Sequence, residues 1–226
     1  MRSPRPKPLL PLLGKPMVEW VLAALRPLEP DPLLVVTSPR VAAAAAGWDV
    51  VIQEKPRGTA DAVAAAHDRL RGFRGDLLVL AADTPLLTSQ TLRSLVARHR
   101  TDDPAVTVLS FATNEPLPYG RIVRGAGGEV VAIVEQGDAT AEERLIQELN
   151  SSTYVFAPAA LWQGLERLES HNAKGEQRLT AVVRAITAAS GRAATFSAPD
   201  PNEARGVNTV ADLAFAESVL RERYPA

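Results

Sequence analysis

Hydrophobic residues follow two alternating patterns along the first hundred residues of the chain. One pattern repeats at helical spacing, as in PMVEWVLAALRPL, and the other is a short apolar run such as LLVVT. Apolar strands that alternate with helices are typical of a parallel sheet covered by helices on both faces. The predicted helices cover 16–28, 39–47, 59–72 and 88–100. The predicted strands cover 33–37, 49–53 and the start of 76–87.

After about residue 104 the pattern becomes richer in strands. Segment 119–135 predicts two strands joined by the glycine-rich turn GAGG, which suits a hairpin. The other predicted strands cover 105–112, 150–157 and 194–198. The other predicted helices cover 158–170, 176–190 and 209–224. We therefore expect a single α/β domain over 1–226, in which the second half adds a β-rich lobe to the sheet of the first half.

Composition narrows the classes of function. The 25 Lys and Arg nearly balance the 26 Asp and Glu, so the net charge of −1 does not favour nucleic acid or an anionic membrane as a partner. The absence of cysteine excludes disulfides and thiolate metal sites and fits a cytoplasmic protein. No apolar run approaches the roughly 18 residues of a membrane span, and no signal peptide is predicted. The oligomeric state stays open.

A carboxylate stands at the end of one predicted strand. In LAADTPLL, Asp83 follows apolar neighbours, where a charge needs solvent, an ionic partner or a bound cation. One interpretation is a cap for the helix that begins near Thr88. The other is a ligand for Mg²⁺, which takes few protein oxygens and keeps its other positions for phosphate and water.

The stretch VIQEKPRGTADA indicates a site for a flat base. Gln53 lies at a strand end, and its amide offers one acceptor and one donor, which match the edge of a uracil ring. Gly58 would let the main chain approach the base closely, and Thr59 would cap the following helix. The alternative interpretation is an ordinary loop with a glycine and a helix cap.

Other polar positions lie beside predicted strand or helix ends. Lys7 sits between two prolines and would be a cation held in place for phosphates, or merely a solvated side chain. Glycine or hydrogen-bonding residues at four further ends would suit a hydroxyl-rich sugar. These four are Gly120, Glu135, Asn150 and Asn208, the last of which could instead cap the closing helix.

With these residues identified, the chain resembles the uridyltransferase domain of the bacterial bifunctional N-acetylglucosamine-1-phosphate uridyltransferases. The shared strings occur in family order and cover nearly all 226 residues. The run IVE-x-x-DAT followed by I-x-E-x-N is specific to this branch, whereas DTPL and LPLLGKPM indicate only the wider superfamily. The strings are PKPLLPLLGKPMVEWVL, QEKPRGTADA, DTPLL, YGRIVR, VVAIVEQGDATAEERLIQELNSS, HNAKGEQRLT and GVNTVADL.

The resemblance implies a Rossmann-like, three-layer nucleotide-diphospho-sugar transferase fold with a mixed, mostly parallel central sheet. Residues 1–104 would form the nucleotide-binding half, and 105–226 the sugar-binding half with the closing helix. The implied reaction joins UTP and N-acetylglucosamine-1-phosphate into UDP-N-acetylglucosamine and pyrophosphate, with Mg²⁺ as cofactor. Lys7 would contact phosphate, and Asp83 and Asn208 would hold the metal. Gln53, Gly58 and Thr59 would lie at the uracil, and Gly120, Glu135, Asn150 and Thr180 at the sugar.

The chain also departs from the family pattern. Met1 aligns with the end of the family motif L-A-A-G-x-G-T-R-M, so the first strand and the glycine-rich loop are absent from this sequence. We expect a start placed too late or a cut chain; the alternative is a natural protein without the loop. The acetyltransferase β-helix is also absent, and with it the family's main support for a trimer. Gln177, Arg178 and Ala181 replace the usual aromatic and acidic residues, which leaves the exact sugar and nucleotide open.

Overall fold

The structure is a computed structural model that describes residues 5–45, 47–171 and 177–225. A six-stranded sheet forms the centre of the molecule. Five strands run in the order β10-β6-β9-β7-β8, and β5 pairs with β9. A separate parallel pair is formed by β3 and β4. The strands of the central sheet are β5 (Leu77–Val79), β6 (Val106–Ala112), β7 (Arg121–Arg124), β8 (Val130–Val134), β9 (Glu148–Phe156) and β10 (Ala193–Ser197). The remaining strands are β1 (Pro11–Leu12), β2 (Lys15–Pro16), β3 (Leu34–Thr37) and β4 (Asp49–Ile52).

Helices cover both faces of the central sheet, as the three-layer prediction requires. Residues of α3, α5 and α6 pack with Val106 and Val108 on one face. Residues of α1 and α4 pack with Leu109 and Phe111 on the other face. Closing helix α7 packs on the end of the molecule near Met17. The helices are α1 (Met17–Leu25), α2 (Pro39–Ala42), α3 (Thr59–Ala65), α4 (Ser89–Asp102), α5 (Pro158–His171), α6 (Leu179–Ala188) and α7 (Val210–Arg223).

The α/β class and the mixed central sheet are confirmed, but the sheet contains fewer parallel pairs than predicted. Among the strands that the structure describes, only β6 and β10 pair in parallel within it, whereas β5, β6 and β7 each run antiparallel to β9. The difference arises because β9 lies between strands of both halves of the chain. The predicted hairpin of β7 and β8 is present.

Several predicted helices are shorter in the structure, and the predicted helix 16–28 covers Met17–Leu25 before it continues in a 3₁₀ turn. The alanine-rich segment 39–47 is helical only over Pro39–Ala42, because a high propensity alone does not sustain a short helix that buries little surface. The segment 59–72 is helical over Thr59–Ala65 and continues in a 3₁₀ turn. Helix α6 begins at Leu179, and residues 172–176, within the shared string HNAKGEQRLT, lie outside the described residues.

An open slot separates the two sheets in the described part of the chain. Strand β3 pairs only with β4, and β5 pairs only with β9, so each keeps one edge without a partner strand. Both strands line one cavity of about 1550 Å³, which also borders α3.

Candidate functional site

Three chain segments that are distant in sequence meet at the ammonium group of Lys7. Lys7 lies in the 3₁₀ turn Lys7–Leu9, Asp83 follows β5, and Asn208 precedes α7. The Lys7 Nζ donates to the Asp83 carboxylate and, at 2.7 Å, to Asn208 Oδ1. The main chain fixes the approach, because Val207 N donates to Asp83 O at 2.8 Å. The two oxygen side chains predicted as metal ligands are therefore brought together, on one ammonium group.

Hydrogen bonds at the start of α7 hold Asn208 in place. The N-cap of α7 is Thr209, which forms a capping box with Asp212. Asp212 also accepts from Asn208 N at 2.9 Å, so the alternative prediction of Asn208 as the cap was wrong. Burial raises the pKa of Asp212, but the hydrogen bonds from Asn208 and Thr209 outweigh it and lower that pKa below its ordinary value.

The polypeptide beside Asp83 is anchored by a half-buried tyrosine, Tyr119. Tyr119 Oη accepts from Gly206 N at 2.7 Å, and burial raises the pKa of this phenol, which keeps it neutral. The capping role considered for Asp83 is filled by Thr88, whose side chain accepts from Thr91 N. The Asp83 carboxylate is thus left with Lys7 as its ionic partner.

The side-chain oxygens of Asp83 and Asn208 fit a divalent metal with few protein ligands. A carboxylate oxygen and an amide oxygen already face one positive charge, and hard cations such as Mg²⁺ prefer such oxygens. Within 5–45, 47–171 and 177–225, no group of three His, Cys, Asp or Glu forms a more complete cage. A metal here would take its other ligands from substrate and water, and Lys7 would have to release Asp83 and Asn208.

The predicted base site has a different hydrogen-bond pattern from the one expected. Gln53 Nε2 donates to Asp61 Oδ2 at 2.7 Å and to Gly58 O at 3.1 Å. In this structure both donors of this amide are occupied by the protein, and the role of Gln53 at a base stays a prediction. The Gln53 Oε1 acceptor remains available.

Gly58 is required by a contact within the protein. Its φ is +127°, and an added Cβ would lie 2.3 Å from Gln177 O. The two segments are joined by a hydrogen bond from Ala60 N to Gln177 O at 2.8 Å. The proposed close approach of a base is therefore untested, whereas the close approach of Gln177 is observed.

Thr59 does not cap α3, because Gly58 holds the N-cap position. The Thr59 hydroxyl instead accepts from Leu179 N at 3.0 Å and joins the starts of α3 and α6. Thr59 also lines the cavity of about 1550 Å³. Its predicted place near the nucleotide remains a prediction.

Two of the residues predicted at the sugar form a hydrogen-bonded pair on the cavity wall. Thr180 Oγ1 donates to Glu135 Oε1 at 2.8 Å, and Arg178 Nη1 lies 4.0 Å from Glu135 Oε2. Lys7 and Asp83 line the same cavity. The described structure therefore places a hydroxyl, a carboxylate and a guanidinium in one cavity with the ion pair of Lys7 and Asp83.

The other two residues predicted at the sugar lie together but are built into the sheet. Asn150 N donates to Gly120 O at 2.8 Å, and the side chain of Asn150 is buried. Its Nδ2 donates to Tyr154 Oη at 2.8 Å, and its Oδ1 accepts from Ser152 N at 3.1 Å. Both ends of the Asn150 amide thus have protein partners, and Gly120 and Asn150 do not line the cavity.

Three supporting residues were missed by the sequence reasoning. Asp61 carried a signal, since it stands four residues after Arg57, the spacing of a helical ion pair. Asp212 also carried one, because T-x-x-D before an apolar run indicates a capping box. Tyr119 had no local signal, since its partner Gly206 lies 87 residues away.

Fold and site together define a class of protein. It is an α/β protein in which Lys7, Asp83 and Asn208 meet near the end of a sheet strand, beside a large cavity. The chain belongs to the family of MobA-like NTP transferase domains, whose model matches residues 1–192. The family suggests a divalent metal, for which the carboxylate and amide oxygens described above would be the ligands.

Individual proteins with similar sequences describe the relationship more closely than the family does. The chain is similar to the "Bifunctional protein GlmU" of Thermobifida fusca, with 39% identity over 234 residues that cover 99% of the chain and 48% of that relative. It is 40% identical over 229 residues to the protein of the same name from Trichlorobacter lovleyi. The Rhodospirillum rubrum protein is 42% identical over 227 residues, and each of these two matches covers 99% of the chain and 50% of the relative. The chain thus spans about half the length of the curated relatives it matches.

Proposed function

We propose that the chain transfers UMP from UTP to N-acetylglucosamine-1-phosphate and releases pyrophosphate. The observation that carries this proposal is the convergence of Lys7, Asp83 and Asn208, the first two of which line the cavity that Glu135 and Thr180 also line. A triphosphate needs concentrated positive charge, and a sugar needs hydroxyl and carboxylate partners. Residues 1–104 would serve mainly the nucleotide, and residues 105–226 mainly the sugar.

The reaction requires positioning and charge neutralisation more than proton transfer. An oxygen of the sugar phosphate, already anionic at neutral pH, bonds to the α-phosphorus of UTP. The bond from that phosphorus to the bridging oxygen breaks in line, and pyrophosphate leaves with the electron pair. Lys7 would neutralise negative charge on the phosphates during this step. Asp83 and Asn208 would hold Mg²⁺, which supplies further charge neutralisation when it is bound.

The remaining predicted residues would orient the two substrates. Gln53 would accept a hydrogen bond from the base, beside Gly58 and Thr59. Glu135 and Thr180 would bind sugar hydroxyls, and their mutual hydrogen bond holds both side chains toward the cavity. Nucleotide and sugar-phosphate substrates also fit the predicted cytoplasmic location. The structure contains no helix, in the residues it describes, that is long and apolar enough to cross a membrane.

A related reaction with another sugar phosphate or nucleotide is the second candidate. It is favoured by Arg178, whose guanidinium lies 4.0 Å from the Glu135 carboxylate, because this adds a positive charge beside a predicted sugar contact. An acidic substituent on the sugar would be attracted to such a charge.

A pyrophosphate-release assay separates these candidates. We expect release with UTP, N-acetylglucosamine-1-phosphate and Mg²⁺, and much less with other sugar phosphates or with CTP. Faster release with an acidic sugar phosphate would favour the second candidate. Calorimetry with UTP and UDP-N-acetylglucosamine should run in parallel, because tight binding without any turnover would show a binding module and contradict the proposed reaction.

A further inference from the structure

The amide of Gln53 is held in one orientation by two acceptors. Both hydrogens of its NH₂ group are used, one toward Asp61 Oδ2 at 2.7 Å and one toward Gly58 O at 3.1 Å. A primary amide has two donors and one oxygen acceptor. The group that Gln53 can still offer to a ligand is therefore its Oε1.

Asp61 makes the opposite orientation costly. An ionised carboxylate only accepts hydrogen bonds, so a flipped amide would place Gln53 Oε1 against a negative oxygen and also against a carbonyl. The side chain of Asp61 is buried, and its Oδ1 accepts from Arg57 Nη2 at 2.6 Å and from Arg57 Nε at 2.9 Å. Burial raises the pKa of Asp61, but the bonds from Gln53 and Arg57 outweigh it and lower that pKa, which keeps the carboxylate ionised.

A fixed acceptor distinguishes between pyrimidine bases. The ring N3 of uracil carries a hydrogen and donates, whereas N3 of cytosine carries a lone pair. An acceptor held at N3 therefore pairs with uracil and repels cytosine. An amide that is free to turn would serve both bases, because its NH₂ group could donate to cytosine.

We propose that Asp61 is a positioning residue that sets a preference for uracil over cytosine by holding the Gln53 oxygen toward the base. This inference rests on the proposed function, in which Gln53 lies at the base. It concerns a residue on α3 that contacts Gln53 and Arg57 and reaches the nucleotide only through them.

The test is the ratio of UTP to CTP affinity, measured by calorimetry with Mg²⁺ on the whole chain. UTP and CTP share ribose and triphosphate, so a general loosening of the site weakens both and leaves their ratio unchanged. Asp61→Asn is nearly isosteric and lets both amides turn, and we expect it to lower the ratio about tenfold, the effect of one hydrogen bond. Asp61→Ala should lower the ratio similarly.

Asp68→Asn is the matched control, because it removes one carboxylate from an exposed pair with Arg71 at 2.6 Å. The control should keep the wild-type ratio. An unchanged ratio in Asp61→Asn, with a wild-type chain that prefers UTP, would overturn the inference and leave the proposed function standing. A wild-type chain without any preference for UTP would overturn both.

Discussion

Two regions of the molecule treat their predicted polar residues in opposite ways. In the central sheet, the Asn150 amide is buried and both of its ends are bound by other protein groups. At the open side near β3 and β5, the side chains of Lys7 and Asp83 are 34% and 26% exposed and bind mainly each other and Asn208. The first arrangement is part of the folded core, whereas the second can exchange its partners for a ligand.

From this difference we infer that a matching family motif does not by itself fix a residue's role. When a buried amide with satisfied donors and acceptors loses its partners, the folded protein loses stability. A half-exposed ion pair contributes little to folding, since solvent screens it, but its charges remain available to phosphates and cations. The two regions should therefore respond differently to mutation.

The largest contrast in stability is expected between leucines of the two regions. Leu109 on β6 is fully buried between the two layers, so Leu109→Ala should cost about 2–5 kcal/mol of unfolding free energy. Leu34 on β3 is only half-buried, beside the open slot, and Leu34→Ala should cost about 1 kcal/mol. Urea unfolding of both variants checks this, and equal losses would remove the distinction between the regions.

The second contrast concerns turnover. Asp83→Ala should lower the rate of pyrophosphate release by about 10²–10³-fold, because charge stabilisation at the phosphates is lost. Its unfolding free energy should change little. Asp102→Ala is the matched control, since the Asp102 side chain is 22% exposed, pairs with Arg98 at 2.6 Å and does not line the cavity. Near-normal turnover in Asp83→Ala would refute the role proposed for this carboxylate.

The smallest contrast concerns the buried amide. Asn150→Ala leaves the buried Tyr154 hydroxyl without its partner and should cost about 1–3 kcal/mol of unfolding free energy. The exposed Asn114 provides the control, and Asn114→Ala should stay within about 0.5 kcal/mol of the wild type. If Asn150→Ala keeps full stability but binds the sugar phosphate poorly, Asn150 belongs with the site rather than with the core.

Elements were predictable because they depend on local spacing. The hairpin of β7 and β8, closing helix α7 and strand β6 all lie where apolar periodicity and turn residues placed them. The central strand β9 was also predicted, but its antiparallel pairing with both halves of the chain was not. Pairing depends on contacts between residues about 35 to 80 positions apart, which no local pattern encodes.

The site was predictable only in its residue types. Asp83 stood out as a charge at the end of an apolar strand. Asn208 stood out only as a polar residue before the closing helix, and its role as a metal ligand came with the family resemblance. Their meeting at Lys7 depends on the bond between Val207 and the main chain of Asp83, over more than a hundred residues. The orientation of Gln53 was not predictable either, because it follows from where α3 places Asp61.

The central claim is that Asp83 and Asn208 hold one divalent cation together with a nucleoside triphosphate. Electron paramagnetic resonance of Mn²⁺, used in place of Mg²⁺, measures this binding directly in the presence of UTP. We predict one Mn²⁺ per chain with UTP, and an affinity at least about tenfold weaker in both Asp83→Asn and Asn208→Ala, as expected for loss of one ligand. Mn²⁺ binding of undiminished affinity in both variants would contradict the claim.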